Sequence, residues 1–169
     1  MSYEEYEVPD NRVLAPNFSL YEMVATNHRS LWEENLKEAF YGNEGENLRK
    51  LTLVAEMLQL IRDHFSAPVS VHSGFRGEAL NNAVGGSSSS QHRKAEAADF
   101  HVIGVGLTSV FTWIVNESGI PFGQAILEGA SPGKPTWIHL SLGPPYRSVA
   151  KSGQAMTYDR TNGYRTWRG

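Results

Sequence analysis

The stretch Ser73–Phe100, SGFRGEALNNAVGGSSSSQHRKAEAADF, decides how the rest of the chain is read. It leaves one β-like run, crosses a Gly/Ser-rich loop and enters a second β-like run, carrying Arg76, His92 and Asp99 on the way. Aspartate and neutral imidazole are ordinary zinc ligands, and His139, in the strand-like TWIHLSL (136–142), is available as a third. Two histidines and one carboxylate leave a coordination position open, which separates a catalytic zinc from a structural one.

Upstream, Val69, Val71 and Ser73 alternate as a short strand after Pro68. Before it, Leu48, Leu51, Val54, Ala55, Leu58, Ile61 and Phe65 recur at spacings of three and four, which predicts an amphipathic helix from Glu46 to about His64. Ser19 with Glu22, and Ser30 with Glu33, are capping-box pairs that open two shorter helices, and Phe18 is placed to staple the first. Residues 1–17 read as an extended lead-in.

Within the stretch, Glu78 to Val84 suits a brief helix, and GGSSSSQ reads either as a flexible linker or as a mobile loop beside a ligand. In AEAADFHVIGV (95–105), alternation puts Ala97, Asp99 and His101 on one face. His101 then sits roughly 7 Å along from Asp99, where it either supports or replaces a ligand; with His28, His64 and His72 it is treated as structural. Downstream, Thr108 is the expected cap of a helix holding Val110, Phe111, Ile114 and Val115, with Gly119 at its stop. Gln124–Glu128 and Thr136–Leu142 read as strands joined by the loop GASPGKP, placing Glu128 and His139 on neighbouring strands. Pro144 to Gln154 resembles a loop, and Asn162-Gly163 signals a type I′ hairpin in TYDRTNGYRTW (157–167).

The 169 residues, 40% of them hydrophobic, suit one domain spanning 1–169, with residues 144–169 a loop and a hairpin. The net charge of -3 and pI near 6.1, without clustered lysines or arginines, exclude an electrostatic footprint for nucleic acid. With no cysteine there is neither a disulfide framework nor a thiolate site, so any metal ligands are His, Asp or Glu. The acidic start MSYEEYEVPDNR lacks signal-peptide features, and no apolar run approaches membrane-spanning length. The expectation is a soluble monomer made in the cytoplasm, without membrane insertion.

The segments SGFR, NNAVGG, SQHRKAEAAD, ILE and WIH, in this order, resemble the zinc D-alanyl-D-alanine carboxypeptidase and L-alanyl-D-glutamate endopeptidase family, which includes phage endolysins and has hedgehog domains and vancomycin-resistance dipeptidases as relatives. The resemblance runs from about Phe18 to Leu142. The family signature SxHxxGxAxD is met by Ser90, His92, Ala97 and Asp99, with Ala95 where glycine is usual. Alanine takes positive φ less freely than glycine, so the turn between the ligands is where this chain departs from the pattern.

The resemblance implies an α+β fold, a small antiparallel sheet carrying a zinc site and flanked by helices. It implies Zn2+ held by His92, Asp99 and His139, with Glu128 as general base and Arg76 binding a carboxylate or steadying an oxyanion. Ser90, Gln124 and Trp137 join Arg76 as substrate-side residues. The implied substrate is a peptidoglycan stem peptide or cross-link, reached after release of the protein or as part of a virion. A wall-binding protein without turnover and a zinc dipeptidase acting on small peptides are the alternatives.

Overall fold

A stripe of residues without solvent exposure, Leu51, Val54, Ala55, Leu58 and Ile61, runs along the longest helix. Burying each of its leucine, valine and isoleucine side chains contributes about 1.5–3 kcal/mol, so the stripe organises whatever packs on it. The helix spans Glu46–Phe65, as the spacing of three and four predicts. In the computed structural model, residues 2–144 and 153–169 are described. Most of the segment expected to form a loop after Pro144, residues 145–152, lies outside them. The chain divides into two units, one of residues 1–59 and 73–98, the other of residues 60–72 and 99–169.

The first unit holds β1 (Val13–Ala15) paired antiparallel with β2 (Phe18–Ser19), then α1 (Leu20–Met23), α2 (Trp32–Tyr41), the first part of α3 (Glu46–Phe65) and α4 (Glu78–Ala83). Ser19 caps α1 by accepting from the Glu22 amide at 3.3 Å, as its spacing predicts. The second capping box does not form. A 3-10 turn, Arg29–Leu31, occupies the entry to α2, and no side chain caps Leu31. Glu33 instead pairs with Lys37 one turn on, at 2.7 Å, a competing use that the capping pattern does not register.

The second unit carries a six-stranded sheet in the order β3 (Val69–Ser73), β4 (Ala97–Val102), β6 (Lys134–Leu142), β5 (Phe122–Ser131), β7 (Gln154–Asp159), β8 (Gly163–Thr166). This corrects the expected small antiparallel sheet. β5 pairs antiparallel with β6 but parallel with β7, and β7 pairs antiparallel with β8. Helix α5 (Leu107–Asn116) packs on β5 and β6 through buried Val110, Phe111 and Ile114. It starts one residue before Thr108, with Gly106 at the cap position and no side-chain cap.

Two turns also differ from expectation. β5 and β6 extend through most of GASPGKP, leaving Pro132 and Gly133 to connect them, with Gly133 at φ +68°. The last hairpin turns through Arg160, Thr161 and Asn162, with Gly163 at φ +66° paired to Asp159. Asn162 is not among the residues at positive φ, so the two-residue type I′ turn is replaced by a longer connection in which Gly163 supplies the positive φ.

Candidate functional site

In the second unit, β4 supplies Asp99 and β6 supplies His139. His139 Nδ1 lies 2.8 Å from Asp99 Oδ1, and the residues are only 7% and 9% exposed. Glu128 on β5 faces Trp137 across the ladder, while Ile126, two residues earlier, faces His139. Side chains two apart share a face, so Glu128, Trp137 and His139 project from the same side of the sheet. The Trp137 indole N–H donates to Glu128 Oε2 at 3.0 Å and fixes the carboxylate's orientation.

Gln124 follows on the same face. Its amide N–H donates to Ser141 Oγ and its side chain donates to Gln154 Oε1, both at 2.8 Å. His101 pairs with His72, ring nitrogen to ring nitrogen, at 2.7 Å. Burial, then the neighbouring His101, hold the His72 pKa below its ordinary value, with Asp99 opposing them.

In the first unit, His92 is 3% exposed and its Nδ1 lies 2.8 Å from the Gly74 carbonyl oxygen. A carbonyl only accepts, so Nδ1 carries the proton and Nε2 is the nitrogen left for coordination. The Arg76 amide donates to the His92 carbonyl at 3.1 Å, and its guanidinium donates to Ser90 Oγ at 3.4 Å. Arg76, Ser90 and His92 are thus brought together. Ala95 keeps the turn between His92 and Asp99 by adopting φ 58°, the conformation its glycine counterpart would take freely.

The loop bearing Arg76 is set by groups that the sequence pattern does not reveal. Asn35 accepts from the Gly77 amide at 2.7 Å and donates to the carbonyls of Phe75 and Val24. Glu38 accepts from the Glu78 amide at 2.9 Å and pairs with Arg93 at 2.6 Å. Both residues lie on α2 and are nearly buried, 2% and 7% exposed, so polar side chains occupy helix positions where hydrophobic periodicity expects apolar ones. The Gly/Ser loop is pinned as well, since Asn81 Nδ2 donates to the carbonyls of Gly86 and Ser87 at 3.2 and 3.0 Å.

The family model for Peptidase M15 matches residues 17–141, and the chain belongs to this family of metallopeptidases. No curated protein matches it. The matched span includes Arg76, Ser90, His92, Asp99, Gln124, Glu128, Trp137 and His139, and it ends before β7 and β8. Among the described residues no helix is long and apolar enough to cross a membrane.

Proposed function

We propose that the chain is a zinc-dependent peptidase hydrolysing an amide bond in peptidoglycan stem peptides or cross-links. The observation that carries this reading is the match of residues 17–141 to a metallopeptidase family, a span that contains His92, Asp99 and His139, residue types able to hold a metal ion. Two imidazoles and one carboxylate suit zinc and leave room for a fourth ligand. When bound, zinc supplies Lewis acidity that lowers the pKa of water to ~7 and polarises an amide carbonyl.

The chain's own residues supply the remainder. Glu128, oriented by the Trp137 indole, takes the proton from the attacking water and returns it to the leaving amine. Arg76, hydrogen-bonded to Ser90, offers a guanidinium to a substrate carboxylate or to the developing oxyanion. Trp137 lies on the sheet face of His139, and Gln124, two residues before the His139 partner Ile126, lies beside it; both are offered to the peptide as binding groups.

The test is digestion of purified sacculi and of short stem peptides by the zinc-loaded protein, followed by mass spectrometry of the products. New amino and carboxyl termini at one type of amide bond are expected. Glu128→Gln should retain one zinc and lose about 100-fold or more in kcat, the usual worth of a general base. Sacculi that gain no new termini would refute the peptidoglycan substrate; cleavage undiminished in Glu128→Gln would refute the base assignment.

A further inference from the structure

We infer that the sheet face beside Asp99 and His139 carries a subsite for an ammonium group of the peptide substrate, built by Tyr158 and Tyr164 together with Trp137 and Glu128. The inference rests on the peptidase reading and specifies which substrates that site prefers.

Four neighbouring strands set the geometry. In the order β6, β5, β7, β8, the Cα partners across the ladders are Trp137, Glu128, Tyr158 and Tyr164. Partners across a ladder project to the same side, so the four side chains form one row, with roughly 4.8 Å between strands. The Trp137 indole meets the Glu128 carboxylate at 3.0 Å, and the two tyrosine rings lie 4.6 Å apart, tilted by 42°. The row adjoins the pair at the chemistry, because Ile126, two residues before Glu128, faces His139. Helix α5 covers the opposite face of the sheet, whereas Tyr164 is 62% exposed.

Ring faces carry negative quadrupole potential, and the charge around them here has the same sign. Burial first, then the charges of Glu128, Tyr158 and Asp99, push the Tyr164 pKa above its ordinary value. Flat aromatic surface in a negative field favours a cation and disfavors a phosphate or carboxylate. An ammonium on the substrate is the occupant with complementary charge. Both tyrosines lie beyond residue 141, so the family-matched span does not contain them.

The test uses two small probes, Nα-acetyl-lysine amide and its Nε-acetylated, neutral counterpart, titrated into the full chain while the tyrosine ring resonances are followed. The charged probe should bind roughly three- to thirtyfold more tightly and shift the Tyr158 and Tyr164 signals. The Tyr158→Phe/Tyr164→Phe double variant keeps that preference, because the ring faces remain. Tyr158→Ala/Tyr164→Ala abolishes it. Equal binding of the two probes, absence of tyrosine shifts, or an unchanged preference in the alanine variant overturns the proposal. Should the alanine variant fail to fold, the two probes on the unmodified chain decide the question. Binding needs no hydrolysis, so a failed peptidase assay leaves this test intact, and a protein that cuts sacculi without preferring the ammonium probe refutes only the subsite.

Discussion

Ala95 is fully buried and turns the backbone at φ 58°, a conformation that costs an L-residue with a Cβ roughly 1–2 kcal/mol. Ala95→Gly removes that strain but restores about 0.4–1 kcal/mol of unfolded-chain entropy and deletes a buried methyl. The expected result in chemical denaturation is between no change and about 1 kcal/mol of stabilisation, once those terms are set against each other. The same exchange at Ala98, buried in β4, should instead cost roughly 1 kcal/mol, since nothing at that position rewards a glycine. Equal losses at the two positions would show that the turn is unstrained. Gly74 presents the opposite case, because a Cβ there would come within 2.2 Å of the Met23 carbonyl oxygen. Gly74→Ala should destabilise by about 1–3 kcal/mol. Displacing the carbonyl that holds His92 Nδ1 should also weaken zinc binding by roughly 10–100-fold, measurable by competition with a chelator. His92 and Asp99 are legible in the sequence because imidazole and carboxylate identify themselves. Gly74 is not, since its contribution is a backbone carbonyl that every residue possesses.

Among the elements, the C-terminal hairpin holds the clearest pH dependence. Asp159, 4% exposed, accepts from the amides of Thr161 and Asn162 and from the Asn162 side chain, and pairs with Arg165 at 2.9 Å. Burial alone would raise its pKa, but the Asn162 and Thr161 hydrogen bonds and the Arg165 charge outweigh it and hold the carboxyl below its ordinary value of 3.8. The deprotonated form therefore favours the folded hairpin. Its contribution is complete above pH 3.8, declines below it and vanishes once the pH passes the folded-state value. Hydrogen exchange of the β7 and β8 amides should accelerate over that acid range. In Asp159→Asn the acid dependence should disappear and exchange at neutral pH should already be faster. Helix α3 is legible because its apolar residues spell the helical period along one local segment. The parallel pairing of β7 with β5 is not legible, because a short alternating run has the same pattern whichever strand it joins. The β5–β6 turn was hidden for a related reason, as Pro132, Gly133 and Pro135 punctuate the sequence like a longer loop while the strands continue around them.

Across the whole molecule, each unit is assembled from two separated segments, so no linker in the sequence marks where one gives way to the other. The proposed zinc ligands are likewise far apart along the chain, at positions 92, 99 and 139. An ion that binds such a donor set only in the folded protein stabilises it through mass action, by about 4.1 kcal/mol when free zinc is 1,000 times Kd. At roughly 2–4 °C per kcal/mol for a chain of this size, the melting temperature should rise by about 8–16 °C on adding zinc and fall again on chelation. Titration should saturate at one equivalent. Asp99→Asn, which withdraws the only carboxylate of the set, should melt at a temperature nearly independent of zinc. His101→Ala should keep the full zinc response, because His101 is engaged with His72 and lies outside the proposed donor set. A zinc response that survives Asp99→Asn but disappears in His101→Ala would move the metal to the histidine pair and overturn the assignment of His92, Asp99 and His139.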